Sequence, residues 1–265
     1  MINLIKADFY KINRSAIYKI LFLVSAVCAI VTTVVSHLIY TEDLSLASAS
    51  SAAMLTDVVM LNLINCVVAG QLICGDFDNK LIQSALTGSS GRFTIVCAKM
   101  ITYTVVVGIM TIPYALSGII GFCLDLGYGT PYSASTYLKI LFEANTVDFS
   151  ASVLLKYIAI AVIMMLVYSA QSGITFVLAF IMKNKALLVT AIGFIISTII
   201  GMGTSLIAGD GTNDILSWTP YSSDIYSLCS ESEIATLFRI ILVCVMFIAV
   251  YTGISYAAFK KAEIK

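Results

Sequence analysis

Charge is what this sequence has least of. Only 11% of its 265 residues are Asp, Glu, Lys or Arg, against about 25% in an ordinary soluble domain. The polar surface needed to hold a folded chain of this size in water is missing. The 15 basic and 15 acidic residues cancel, and no Lys/Arg stripe provides the footprint that nucleic acid demands, so no nucleic-acid partner is expected. A single histidine, His37, and seven cysteines without any CxxC pair give no metal-ligand spacing. No G-x-x-x-x-G-K-[ST] loop occurs either, so nucleotide is not expected on this chain. With three prolines and no low-complexity linker, residues 1–265 read as one membrane domain.

Long apolar runs are what the sequence does have, 60% of its residues being hydrophobic. Crossing the hydrocarbon core takes about 20 mostly apolar residues in a helix. Six stretches qualify, at about 16–40, 53–74, 98–123, 154–181, 187–208 and 237–259. The first is too long for the 7–15-residue core of a signal peptide and reads as a retained anchor. Lys6, Lys11, Arg14, Lys80, Arg92, Lys99, Lys183, Lys185, Lys260 and Lys261 fall in alternate connections and tails, whereas Glu42, Asp43, Asp125, Glu143, Asp210 and Asp214 fall in the others. The positive-inside rule then predicts both termini in the cytoplasm.

Residues 1–14 are not a span. Ile2, Ile5, Phe9 and Ile12 recur on one helical face, with Lys6, Asp8, Lys11 and Asn13 on the others, the pattern of an amphipathic helix lying at the inner interface. Its role is either anchoring or transmitting the movement of a cytoplasmic partner. Connection 75–97 is longer than a hairpin between spans requires. It carries a charged start, an apolar middle and a basic restart, which suits docking in a groove of a soluble protein.

Within the spans, Asp57, Asn62, Asn65, Gln171 and Thr175 are polar residues that should face other helices or a substrate path. Gly193, Ser197, Gly201 and Ser205 recur at four-residue steps, a small-xxx-small seam for close helix packing within the subunit or across a dimer. Pro113 is placed to kink the third span. Five cysteines read as buried small hydrophobes; Cys123 and Cys229, near the outer side, are left open to pair. Leu138-Lys139-Ile140-Leu141-Phe142 and Ile225-Tyr226-Ser227-Leu228 are apolar enough to dip into the outer interface. Gly209-Asp210-Gly211-Thr212-Asn213-Asp214 is a polar turn.

Asp76-Phe77-Asp78, Ile82, Leu86, Thr87-Gly88-Ser89, Arg92 and Lys99 follow in order a pattern of the ABC-2 type membrane permeases, which this chain resembles over essentially its whole length. Two positions depart from it: Lys80-Leu81 stands where Gly-Thr is usual, and Gly91 replaces a Ser before Arg92. The resemblance implies an all-α fold of type V exporter architecture, with six spans and 75–97 as a coupling helix. Asp76, Phe77, Asp78, Lys80, Ile82, Leu86 and Arg92 would contact the ATPase.

It further implies two copies of a cytoplasmic ABC ATPase subunit carrying ATP and Mg, with a second permease copy or paralogue and surrounding lipid. The membrane would be the plasma membrane of a bacterial cell. The likeness to permeases of antimicrobial-peptide and lantibiotic immunity and export implies an amphipathic or hydrophobic cargo, peptide first, then a drug or lipid. Alternatives are a sodium extruder of the same architecture and, from other classes, an intramembrane enzyme or a non-transporting scaffold. A lone His37 and no acidic partner for Asp57 weigh against the enzyme.

Overall fold

The computed structural model describes residues 1–44, 55–87, 91–124, 135–142, 151–183, 185–207, 216–222, 225, 228 and 232–261. Among them the regular structure is helical throughout, and six helices are long and apolar enough to cross a membrane, as a multi-pass membrane protein requires. In chain order the elements are α1 (Ile2–Arg14), α2 (Ala16–Tyr40), α3 (Asp57–Asp78), α4 (Leu81–Thr87) and α5 (Arg92–Cys123), then α6 (Thr136–Phe142), α7 (Ala151–Gln171), α8 (Gly173–Met182), α9 (Ala186–Ile207) and α10 (Ile234–Lys261). Spans one, two, three, five and six are α2, α3, α5, α9 and α10; α7 and α8 together make the fourth. Backbone groups in lipid must be satisfied within the segment, which is why each run closes as a helix.

Several boundaries differ from the expectation, the second span opening at Asp57 instead of 53 and the sixth at Ile234 instead of 237. The second span continues to Asp78 instead of ending near 74, and the third starts at Arg92 instead of 98. Connection 75–97 therefore shortens to 79–91 and holds the separate helix α4. The reason is that the charges there are paired: Asp76 and Lys99 are buried against each other, so neither ends its helix. The fourth span is broken at Ser172, whose hydroxyl donates to the Tyr168 carbonyl at 2.5 Å and also meets the Tyr103 hydroxyl at 2.6 Å. Beside it a Cβ on Gly173 would lie 2.4 Å from the Tyr251 ring of α10, so the small residue admits that ring.

The second span, α3, is the most enclosed, and the fifth and sixth are the most open. Around α3 pack α2, α5, α7, α8 and α9. Two members of the four-residue series on α9, Gly193 and Ser197, pack within the chain. Gly193 lies under Thr175 of α8, where an added Cβ would come within 2.2 Å of its hydroxyl. Ser197 donates to the Asn62 carboxamide oxygen of α3 at 2.7 Å. Among the described residues, a Cβ on Gly201 would meet only the Tyr221 ring, at an ordinary 3.8 Å, and the side chain of Ser205 lies outside the described residues. Gly70 of α3 completes the contact, its hydrogen facing the Ala186 carbonyl, 3.0 Å from where a Cβ would stand.

At the end of the bundle away from the termini, α6 is drawn inside. Tyr137, Leu138 and Ile140 are buried, and Tyr137 carbonyl atoms lie against Gly118 of the third span. The stretch expected to dip into the interface thus packs among the helices, because its N-terminus is bonded to Asp57. Cys123 is free and exposed, while Cys229, the turn 209–214, Gly88, Ser89, Tyr226 and Ser227 lie outside the described residues.

The two glycines of α9 should separate cleanly. Gly193→Leu must push α8 from α9 and is expected to cost about 1–3 kcal/mol, whereas Gly201→Leu should stay within about 0.5 kcal/mol. Thermal unfolding of the purified variants in detergent checks the order.

Candidate functional site

The stretch Asp76-Phe77-Asp78 ends the second span, and its three side chains leave in three directions. Asp76, 3% exposed, turns toward α1 and α5. Its two oxygens accept hydrogen bonds from Lys11 and Lys99 respectively. Lys99 also donates to one oxygen of Asp8 at 2.5 Å. Two carboxylates and two ammonium groups from three helices thus form one chain, buried except at Lys11: Lys11–Asp76–Lys99–Asp8. Phe77 turns the other way and meets Phe180 of α8 and Phe259 of α10 edge-on, with centroids 6.2 and 6.1 Å apart. Edge-to-face pairs of this kind add to the apolar contact. Asp78 alone is exposed.

Helix α4 follows. Ile82 is 2% exposed and Leu86, one turn on, packs on the core, so the i, i+4 face holds the helix to the bundle. Leu81, Lys80 and Ser84 face out. The backbone at Lys80 is left-handed, φ 56°, a conformation glycine adopts at least cost. Arg92, at the restart, is tied down: its guanidinium donates to the carbonyls of Phe259 and Lys260, at 3.3 and 2.6 Å, and lies over the Phe259 ring. A cation here satisfies the last carbonyls of α10 and meets the negative end of its dipole.

Of the seven residues expected at a partner contact, the structure therefore presents Asp78 and Lys80 outward. Asp76, Phe77, Ile82, Leu86 and Arg92 bind α4 and its flanks to α1, α5, α8 and α10. The residues missed from sequence are Asp8, Lys11 and Lys99 as a unit. Asp8 belongs on a polar helical face by spacing, yet it is buried, because Lys99 meets it there. A signal was available: one acid and one base on α1, one acid ending α3 and one base opening α5, all at a single membrane depth.

A second polar region lies further along the spans. Asn62, Gln171, Ser197 and Gly201, each picked out for polarity or spacing, line one cavity of about 260 Å³ together with Val58, Thr198 and Tyr221. Its groups are neutral. The Gln171 amide donates to the Pro220 carbonyl at 2.8 Å, and the Tyr221 hydroxyl donates to the Gln171 carbonyl at 2.7 Å. Asp57 is not part of it. Its carboxylate accepts from the Thr136 N–H at 3.0 Å and from the Tyr168 hydroxyl at 2.8 Å, fastening α6 to α3 and α7. Thr175 contacts the Cys66 thiol at 3.1 Å. Asn65 is fully buried and its carboxamide finds no hydrogen-bond partner among the described residues, a cost of roughly 1–3 kcal/mol.

Compared with known proteins, the chain matches no family model and no curated protein.

Removing one member of a buried ion pair strands the others, at roughly 3–5 kcal/mol. Asp76→Ala should therefore destabilise by that amount while Asp78→Ala, two residues on and exposed, stays within about 0.5 kcal/mol, as read by thermal unfolding in detergent. Burial, outweighing the attraction of Lys99, raises the Asp8 carboxyl above its ordinary 3.8. The folded chain then holds a proton that the unfolded chain releases. Asp8 contributes its full stabilisation below pH 3.8 and loses it as pH rises through the raised value. Asp8→Asn cannot titrate, so the melting-temperature difference, wild type minus variant, should fall as pH rises from 3.8 toward neutrality.

Proposed function

We propose that this chain is the membrane permease subunit of an ATP-driven ABC-2 type exporter. It would work as a dimer on two cytoplasmic ATPase subunits, with both termini on the ATPase side. The observation that carries the reading is the construction of α4. It is a short helix between two spans; Leu81 and Ser84 on it, with Asp78 and Lys80 just before it, face outward, and its inner face is fixed to the bundle through Ile82 and Leu86. Its two flanks are locked by the Asp76–Lys99 pair and by Arg92 on the last helix. A push on such a helix moves α1, α3, α5 and α10 together, which is what coupling to a partner's motion needs. The left-handed backbone at Lys80 also supports the resemblance, since the family's usual glycine would stand there.

The cargo reading follows from the neutral cavity between α3, α7 and α9. Its carboxamides and hydroxyls suit amide or hydroxyl groups on an amphipathic body, and an antimicrobial peptide or a hydrophobic compound fits that description. A sodium extruder would need carboxylate ligands, which hard cations prefer; Asp57, the acid nearest the cavity in sequence, is bonded to Thr136 and Tyr168.

The test is purification of the tagged chain from its native membrane, followed by ATP hydrolysis in liposomes with and without an amphipathic peptide. The expected outcome is a co-purifying ATPase stimulated by peptide. Leu81→Asp with Asp78→Arg should abolish stimulation while leaving the melting temperature unchanged. A pure, folded preparation without a nucleotide-binding subunit would overturn the proposal.

A further inference from the structure

The apolar face of α1 is turned to the protein: Phe9 and Ile12 pack on the core and Asp8 is buried. The opposite face carries Ile2, Lys6, Tyr10 and Arg14, all exposed and each about one helical turn from the next. Two of these side chains hold each other. The Arg14 guanidinium lies 4.9 Å from the centroid of the Tyr10 ring, within cation–π range. No acid on α1 offsets the charge of this face, because its one carboxylate, Asp8, is buried and bonded to Lys99. Lys19, in the first turn of α2, is exposed as well.

The adjoining span fixes what stands beside that face. Along α2, Ile20, Leu23, Val27, Ile30 and Val34 are each more than half exposed. They recur at three- and four-residue steps, the stripe that a spanning helix offers to lipid tails. Ser15 alone separates α1 from α2, so the tails begin within two turns of Arg14. α1 is also held short of the ends of the helices it pairs with. Asp76 lies two residues from the end of α3, and Lys99 lies seven residues into α5, roughly 10 Å along that helix. With the six helices across a bilayer, α1 therefore lies at headgroup depth, and its free face is the one turned away from the bundle.

A headgroup with net negative charge matches that face. Guanidinium and ammonium groups both bind phosphate, the first as a planar fork and the second as a point charge. Tyrosine is at home at this depth. A choline headgroup brings its own cation beside the bases, whereas a glycerol headgroup brings none. We propose that Lys6, Tyr10 and Arg14 of α1, with Lys19 of α2, form a binding surface for anionic phospholipid, such as phosphatidylglycerol. α1 then has two charged attachments, the ion pairs on its inner side and the leaflet on its outer side. The surface needs only a bilayer around the helices, so it stands or falls separately from the permease reading.

The experiment places the purified chain in nanodiscs of equal parts phosphatidylcholine and phosphatidylglycerol. The lipids that stay on the chain after release are counted by native mass spectrometry. Wild type should retain phosphatidylglycerol in preference. One basic residue near an anionic leaflet contributes roughly fivefold, so Lys6→Gln with Arg14→Gln should lower the preference by about tenfold or more. Tyr10→Ala removes no charge, yet should lower it roughly two- to fivefold by freeing Arg14; it decides the matter should the double variant fold poorly. Lys260→Gln with Lys261→Gln, two exposed bases at the end of α10, should leave the preference unchanged. Equal retention of the two lipids by wild type would overturn the proposal. So would an equal loss in the α10 variant, which would make the preference a property of diffuse charge, or a Tyr10→Ala chain that binds like wild type. Indifference to lipid, combined with loss of ATPase capture in the Lys6 and Arg14 double variant, would assign the face to a soluble partner and overturn it as well.

Discussion

The Lys11–Asp76–Lys99–Asp8 chain of ion pairs is the contact on which the terminal end of this bundle depends. It joins the N-terminal helix to the end of the second span and to the opening of the third. Taking charges out of water is expensive, and attraction in a low-dielectric setting offsets it only when every partner is in place. The arrangement is therefore all-or-none in character: the helices meet in one register or the charges are stranded. Apolar packing alone would tolerate sliding of α1 along the bundle; four alternating charges do not. Phe77 adds a second fixed direction, against Phe180 and Phe259. Together they leave α4 as a short helix fastened to the bundle on both sides.

Among the described residues, the opposite end is organised around the Asp57 carboxylate. Asp57 accepts from Thr136 and Tyr168 and so brings α6 into the bundle beside the third and fourth spans. Between the two ends the helices are held by close backbone approach and by neutral hydrogen bonds, Ser197 to Asn62 and Ser25 to the Met110 carbonyl among them. Among the described residues, charge thus lies toward the two ends, and the middle is polar through amides, hydroxyls and the Cys66 thiol. That separation of chemistry supports reading one end as a drive point and the neutral cavity as a place for cargo.

The number of spans was legible in the sequence, since 20-residue apolar runs have few other uses. The first span, 16–40, and the amphipathic helix before it were legible to the residue or nearly so. The ends of the second and third spans were not. Hydropathy treats each residue as if it faced lipid, so Asp76, Arg92 and Lys99 register as loop, although two of them cancel and the third caps α10. The break at Ser172 left only the short polar run Gln171-Ser172-Gly173, too brief to separate from helix-packing residues. Asn62, Gln171, Ser197 and Gly201 were picked out one by one. That they line a common cavity depends on how α3, α7 and α9 cross, which no spacing along the chain encodes.

The ion quartet also bears on how the chain is made. The hairpin of the second and third spans carries Asp76 and Lys99 into the bundle, one of each sign, and α1 brings Asp8 and Lys11, again one of each. Each part can be delivered to the membrane with the charges it will bury already balanced. The hairpin need not wait for α1 to become neutral, and the two charges that α1 brings to the chain of ion pairs, Asp8 and Lys11, cancel. Assembly can then proceed as the joining of two pieces whose paired charges already balance, with Lys6 and Arg14 of α1 left exposed.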